Sequence, residues 1–468
     1  MPERNYTYYD FTVSICPVCL KRIDAKVIFQ DDQVFMTKKC QEHGSFKVLI
    51  SSDIEYYKRC RNYLKPGETP LKFNTKVHYG CPYDCGLCTD HEQHSCLTLI
   101  EITDRCNLTC PTCYAESSPF HGRHRTFEEV ETMIDIIVRN EGKPDVVQIS
   151  GGEPTIHPDF FRILDLAKSK PIRHLMVNTN GIRIAKDEEF TRRLAEYMPD
   201  FEIYLQFDSL QPTVLEKLRG EDLVSVRMKA LEHLNKYNLS TTLVVTLEKN
   251  LNDSEIGPLI EFALQQPAVR GITFQPTSAS GRLANFNQET DRITLAEVRS
   301  EIIKQSGLFT EGDIIPVPCN PDALAMAYAL KLDGQVFPLT HLLHPDELLK
   351  SGNTIVYEQD EKIKSSLLKI FSTGNSTEVA SEELNRLLCC LPEIKAPNLV
   401  YQNLFRIIIM HFMDAWNFDV RSVKKSCVHI VGKDGNIIPF ETMNLFYRDD
   451  KIDRLKAIKQ IQTPVPNE

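Results

Sequence analysis

An α/β fold built on a parallel sheet is what this chain of 468 residues predicts, and three observations predict it. Apolar strands alternate with amphipathic helices from residue 98 onward. A loop-rich segment with paired cysteines precedes them, and the regular alternation fades beyond about residue 310. Strand candidates are "LTLIEIT" (97–103), "VVQIS" (146–150), "HLMVNT" (174–179), "EIYLQFD" (202–208), "TTLVVTL" (241–247) and "GITFQP" (271–276). Six strand–helix units in series imply a parallel sheet, either open or curled into a partial barrel, with chemistry gathered at the C-terminal strand ends.

In chain order, residues 1–66 form a small metal-binding domain in which "KVIFQDDQVFMTKKC" predicts a hairpin turning at Asp31-Asp32. Residues 67–97 are a Cys-rich connector, and 98–310 are the core. Its clearest helix starts at Thr126, where Glu129 completes a capping box. It sets Val130, Met133, Ile134, Ile137 and Val138 on one face and stops at Gly142. Residues 311–468 form a mixed, partly helical C-terminal extension. There "EELNRLLCCL" and "LVYQNLFRIIIMHFMDAW" read as helical, and "CVHIVGKDGNIIPF" as a strand pair turning at Lys433-Asp434-Gly435; the tail "TPVPNE" is expected to fray.

The chain is 42% hydrophobic, enough for a substantial core, and 25% charged, an ordinary globular value. A formal net charge of -10 disfavours nucleic acid as a partner. The opening "MPERNYTYYDF" lacks the apolar run of a secretory signal. The longest apolar stretch, "LFRIIIMHFMDAWNF", is interrupted by Arg406, His411 and Asp414, so membrane contact is at most peripheral and a cytoplasmic protein is expected.

Cysteine is the informative residue. Eleven of the fifteen lie between Cys16 and Cys113, a clustering that favours metal or cluster binding over scattered packing. Cys106, Cys110 and Cys113 follow the first core strand as CxxxCxxC. A cube of four irons ordinarily takes four thiolates. Three leave one iron open to chelate a ligand, whereas a zinc site would want a CxxC pair completed by a second pair. Gly151-Gly152-Glu153-Pro154 follows the second strand and lands on the same edge; its two glycines let backbone approach a ligand closely.

Other groups bear chemistry too. Cys16-x-x-Cys19 and Cys40-x-x-His43 stand at either end of the hairpin and read as a tetrahedral mononuclear site for zinc or iron, with Cys60 a competing fourth ligand. In the connector, Cys81, Cys85, Cys88 and Cys96 are four thiols in a short loop, enough for a second [4Fe-4S] cluster; His91 and His94 offer a zinc alternative. Cys319, Cys389, Cys390 and Cys427 are dispersed and read first as small buried hydrophobes, with convergence on a third cluster as the alternative. At later strand ends Asn178, Thr179, Asn180, Gln206, Asp208 and Gln275 would face the same mouth. Turn and capping roles compete for Asn180 and Asp208.

The triplet after the first strand of a (βα)6 series, with Gly151–Pro154 after the second, resembles the radical S-adenosylmethionine (SAM) superfamily. The resemblance implies a radical-SAM partial (βα)6 barrel and a [4Fe-4S] cluster whose open iron chelates SAM. One electron then splits the sulfonium to a 5′-deoxyadenosyl radical. It implies that Glu153 accepts a hydrogen bond from the methionyl ammonium, and that polar residues such as Asn178, Asn180, Gln206, Asp208 and Gln275 bind SAM or substrate. Thr112 stands where an aromatic residue often precedes the third cysteine; Tyr114 follows it instead.

"CPVC…CQEHG", "GCPYDCGLC", "CNLTCPTCYAES", "SGGEPT", "HFMDAWNFDV", "CVH" and "IIPF" together resemble one branch, the archaeal group of dihydropterin (hydroxymethylpterin) methyltransferase and tetraether lipid synthase. That branch implies a rubredoxin-like or zinc-ribbon N-terminal domain and auxiliary clusters. It also implies carbon–carbon bond formation at unactivated carbon, by methyl transfer to a pterin-like substrate or coupling of lipid chains. A small-molecule or lipid substrate and a reductase, ferredoxin or flavodoxin electron donor follow. Ser426-Cys427 and Glu441 stand where the branch carries more cysteine, which leaves a carboxy-terminal auxiliary cluster and the particular reaction open. The competing expectations are a radical SAM enzyme acting on a peptide and a non-enzymatic zinc-ribbon interaction protein.

Overall fold

A computed structural model describes residues 4–63, 68–283, 286–332, 335–341, 403–449 and 451–462. Four antiparallel strands open the chain: β1 (Thr7–Ile15), β2 (Arg22–Gln30), β3 (Gln33–Cys40) and β4 (Gly44–Ser51), paired in that order. Asp31 and Asp32 link β2 to β3 with φ of 51° and 57°, the doubly left-handed conformation of a two-residue hairpin turn. Helix α1 (Ile54–Cys60) follows, capped by Asp53, whose side chain accepts from Tyr56 N–H at 2.8 Å.

The core strands are β5 (Leu97–Thr103), β6 (Val146–Gly151), β7 (His174–Thr179), β8 (Phe201–Gln206), β9 (Thr241–Leu247) and β10 (Val269–Pro276). Between and after them run α2 (Phe127–Glu141), α3 (Phe160–Ser169), α4 (Ile182–Lys186), α5 (Glu188–Ala195), α6 (Pro212–Arg219), α7 (Val224–Lys236), α8 (Ile256–Gln265) and α9 (Leu295–Ser306). The six strands pair in parallel in sequential order, as expected for strands that are nearly continuous apolar runs covered by helices. Thr126 and Glu129 form the reciprocal capping box of α2, and Val130, Met133, Ile134 and Ile137 are buried against the sheet.

The segment after 310 completes this sheet. It supplies β11 (Ile315–Pro316), β12 (Leu324–Leu332), β13 (Gln335–Pro338), β14 (Leu404–Met410), β15 (Val428–Val431) and β16 (Ile437–Pro439), with α10 (Val420–Lys424) and α11 (Lys451–Gln462). β14 pairs in parallel with β10, and β15 in parallel with β5, so each edge of the six-stranded core gains a further parallel strand. Antiparallel β12 and β16 then flank them, and among the described residues the sheet ends at β11 and β16.

The helix expected over "LVYQNLFRIIIMHFMDAW" is therefore corrected: its centre is β14. A strand buried among neighbours is apolar without alternation, and periodicity cannot separate it from a buried helix; the β-branched run Ile407-Ile408-Ile409 was the available signal. The strand pair at 428–439 forms as expected. The expected helix at "EELNRLLCCL", with Cys389 and Cys390, lies outside the described residues. The N-terminal sheet docks on the extension through buried polar contacts. Lys38 Nζ donates to Ala415 O at 2.8 Å, Ser14 Oγ to Phe418 O at 2.6 Å and Thr12 Oγ1 to Asp419 at 2.6 Å.

Candidate functional site

The C-terminal ends of β5 and β6 are locked together by backbone. Gly152 N–H donates to Thr103 O at 2.8 Å and Glu153 N–H to Arg105 O at 2.9 Å, so the glycine turn lies against the start of the cysteine loop. A side chain at Gly152 would overlap Arg105 O and stand 3.0 Å from Cys106 N, and Gly151 has φ of 131° with Thr103 backbone equally close. Only glycine fits either place. From the other side, Arg282 holds the loop: its Nη1 donates to Cys110 O at 2.7 Å and its Nη2 to Ser117 O at 2.8 Å. Gly281 abuts the carbonyls of Cys113 and Tyr114 too closely to admit a side chain.

Cys106, Cys110 and Cys113 line a cavity of about 1330 Å³, measured out to its open mouth. Burial, reinforced by the charge of Glu153, pushes the Cys106 thiol up to about 12. Burial also raises Cys110, against the lowering effect of Arg219. Of the other expected cofactor residues, Tyr114, Gly151, Gly152, Glu153, Asn178, Asn180, Gln206 and Gln275 line the same cavity.

Two expected residues do not line it. Pro154 is buried at the start of a short turn, and Asp208 is fully buried, accepting from Arg219 Nε at 2.7 Å and from Thr246 N–H at 3.1 Å. Asp208 thus serves to orient Arg219, whose Nη2 also reaches Gln206 Oε1 at 3.1 Å. Gln206 in turn donates to Asn178 Oδ1 at 2.9 Å, so one hydrogen-bonded chain runs along three strand ends, those of β7, β8 and β9. Glu153 is more committed than expected. Its Oε1 accepts from Thr155 N–H, Thr155 Oγ1 and Thr179 Oγ1, and its Oε2 from Asn180 N–H at 2.8 Å. Its carboxylate splints the turn to β7, leaving Oε2 with a single protein donor.

Several wall residues escaped the sequence reading. Arg227 lies on α7, lines the cavity, is fully buried, and none of its three guanidinium nitrogens has a hydrogen-bond partner among the described residues. Burial pulls its pKa down to about 10. In the sequence it sits in "VSVRMKALEHLNK", which reads as an ordinary amphipathic helix, and nothing there marks it as inward. Gln148 is buried on the cavity wall with an unpartnered Nε2. Phe412 and Phe440 join the expected Tyr114 in an aromatic group, with ring centroids 5.0 Å apart for Tyr114–Phe440 and 4.0 Å for the stacked Phe412–Phe440 pair.

Away from the cavity, Cys16, Cys19, Cys40 and His43 gather with ligand atoms within 4.8 Å of one another, while Cys60 packs elsewhere beside Tyr56. That geometry suits a single tetrahedral ion. The connector does not behave as expected. Cys81, Cys85 and Cys88 remain neighbours, but Cys96 departs from them and joins Cys319 and Cys427. The physical reason is that Cys96 precedes β5 and is carried into the sheet, whereas the preceding loop docks on 439–447 through Cys85 N–H to Tyr447 OH at 2.8 Å. His91 turns to Ser426 O at 2.8 Å and His94 to Glu141 at 3.2 Å, neither completing a set with Cys81, Cys85 and Cys88.

The geometry fits an open iron–sulfur cluster and its ligand on observations of this chain alone: three cysteines on one loop, a glycine cradle that a Cβ would fill, and an orphaned buried guanidinium. Comparisons agree. Residues 100–263 match the radical SAM superfamily and residues 8–52 the HMPTM N-terminal zinc ribbon domain. The chain is 32% identical to 7,8-dihydro-6-hydroxymethylpterin dimethyltransferase of Methanocaldococcus jannaschii, with 94% of each chain covered. It is also 32% identical to a probable GTP 3',8-cyclase of Thermococcus kodakarensis over 35% of this chain and 52% of that one. The crystal structure of Streptococcus suis SuiB bound to S-adenosylmethionine overlays with a TM-score of 0.37 at 17% identity, covering 45% of this chain and 47% of that one. Among the described residues no helix is long and apolar enough to cross a membrane. The chain is a radical SAM enzyme and belongs, within that superfamily, to the family of the hydroxymethylpterin dimethyltransferase.

Proposed function

We propose that the enzyme transfers methyl groups to carbon of a pterin-like heterocycle. The observation that carries this reading is a cavity lined by unlike groups, in a chain that a pterin dimethyltransferase matches over 94% of its length. Cys106, Cys110, Cys113, Gly151, Gly152 and Arg227 line it together with the aromatic and amide side chains of Phe412, Phe440, Gln148 and Gln275.

In this reading Cys106, Cys110 and Cys113 hold three irons of a [4Fe-4S] cluster. Once bound, that cluster supplies the electron that cleaves SAM reductively. Arg227 pairs with the carboxylate of SAM, which supplies hydrogen bonds that its buried guanidinium lacks among the described residues. The backbone of Gly151–Glu153 and the Asn178–Gln206–Arg219 chain line the rest of the cofactor's berth. Glu153 keeps Asn180 and the glycine turn in register, with Oε2 available to the methionyl ammonium. Phe412 and Phe440 present faces for a flat ring, and the Gln148 amide reads its polar edge. Cys16, Cys19, Cys40 and His43 hold zinc or a single iron, and Cys81, Cys85 and Cys88 supply thiolates for an auxiliary cluster. A one-electron donor of the ferredoxin or flavodoxin class supplies the reducing equivalents.

The test is anaerobic incubation of reconstituted enzyme with SAM, dithionite and 6-hydroxymethyl-7,8-dihydropterin, followed by mass spectrometry. Release of 5′-deoxyadenosine together with methylated pterin is expected, and both should vanish in Cys110→Ala. Cleavage of SAM with no change in the pterin would overturn the substrate while leaving the superfamily chemistry intact.

A further inference from the structure

Three distant stretches deliver Cys96, Cys319 and Cys427 to one point, with their sulfurs within 4.8 Å of one another. The backbone enforces this. Cys96 and Cys427 each precede one of two adjacent parallel strands, β5 and β15, and Leu97 N–H donates to Cys427 O at 3.0 Å. Cys319 lies in the turn leading to β12, which is tied to α10 by Ser422 Oγ donating to Asn320 at 3.2 Å. The Cys319 and Cys427 sulfurs are 3.3 Å apart, and the three residues are 0%, 5% and 1% exposed in chain order.

Scattered structural cysteines pack against aliphatic groups; three that meet sulfur to sulfur in a dry interior form a donor set. Spacing identifies the guest. Thiolates bound tetrahedrally at about 2.3 Å from one metal stand roughly 3.8 Å apart, within the range seen here, whereas a four-iron cube holds its thiolates further apart at separate corners. Around the trio, His94 Nε2 lies 3.5 Å from Cys96 Sγ and its Nδ1 3.2 Å from Glu141, the carboxylate–histidine arrangement that orients metal-bound groups. Leu97 and Val428, each next to a member of the trio, line the cavity, so the group sits beneath its floor.

We propose that Cys96, Cys319 and Cys427 bind one thiophilic divalent cation, zinc or ferrous iron, as a mononuclear site separate from the cysteine triplet and from the N-terminal group. On binding, three S–H protons leave to solvent and three metal–sulfur bonds form, taking the site from neutral to a net charge of -1 with no change in oxidation state. The site does not depend on which substrate the cavity takes.

The experiment uses full-length protein purified anaerobically, with iron, zinc and acid-labile sulfide counted per chain in Cys319→Ala, Cys427→Ala and the reference variant Cys60→Ala. Each of the first two should lose one metal with sulfide unchanged, and the reference none. Loss of several irons with matching sulfide would show a cluster instead, and an unchanged metal count would reduce the trio to packing. If those variants do not fold, cobalt(II) titration of metal-stripped protein carrying Cys16→Ala, Cys19→Ala, Cys85→Ala, Cys88→Ala, Cys110→Ala and Cys113→Ala decides. One equivalent with thiolate-to-cobalt absorption is expected; none, or a Cys319–Cys427 disulfide formed instead, overturns the proposal.

Discussion

Replacing Arg227 with methionine should make the free enzyme more stable and its SAM complex weaker, an unusual pair of signs. Every guanidinium nitrogen of Arg227 is buried without a partner. Burial moves its pKa from 12.5 to about 10 even though Asp208 pulls the other way. A difference of that size corresponds to about 3 kcal/mol held against folding while the charge stays unpaired. Methionine fills similar space without the charge, so the unfolding free energy should rise by up to about 3 kcal/mol. In the complex, losing charge-assisted hydrogen bonds to a carboxylate costs about 1.5–3 kcal/mol, which weakens affinity roughly 10- to 150-fold. Equilibrium dialysis with SAM on anaerobic, unreduced enzyme measures the second number and denaturant unfolding the first. Unchanged affinity, or a variant less stable than the parent, would refute the assignment of Arg227 to the cofactor.

Gly152→Ala must move the backbone of Arg105 and Cys106, so iron retention and 5′-deoxyadenosine release should fall at least about tenfold while far-ultraviolet circular dichroism stays unchanged. Gln148→Leu removes an unpartnered buried donor; the KM for pterin should rise roughly 10-fold, with SAM affinity unaffected. His411 is held neutral by burial and by the charge of Arg292, its pKa lowered to about 4. Because the unfolded chain binds that proton near pH 6.5, this histidine makes stability fall as pH drops from about 6.5 towards 4. In histidine-resolved NMR the His411 imidazole, identified as the signal absent from His411→Asn, should remain neutral at pH 5.5, as should the buried His91 and His429. A His411 ring that titrates near 6.5 would be inconsistent with its burial.

Much of this was legible beforehand because local chemistry announces itself. The cysteine triplet, the Gly151–Pro154 turn and the Asp31-Asp32 hairpin are short-range patterns whose geometry follows from backbone sterics and ligand count. The six core strands were legible because short apolar runs such as Leu97–Thr103 recur between amphipathic helices. What stayed hidden depends on tertiary placement. Arg227 and Arg219 lie on helices whose sequences resemble solvated surfaces, and only the packing of α6 and α7 over the strand ends turns them inward. Cys96 was grouped with its sequence neighbours because spacing carries no information about where a following strand will pull it. The trio it joins spans more than 300 positions, from Cys96 to Cys427. The sequence of β14 reads as a helix because two-sided burial erases the alternation that distinguishes a strand.

The placement of β14 and β15 also bears on how the chain is made. Pairings such as Gly271 with Arg406 and Leu97 with Val428 bind the two rims of the core to its last quarter. During synthesis β5 must therefore wait, one flank bare, until the ribosome has released more than 300 further residues. Naked parallel edges invite association with other chains. A fragment ending near residue 310 should consequently precipitate rather than retain SAM cleavage, and chaperone demand should peak before the final strands emerge.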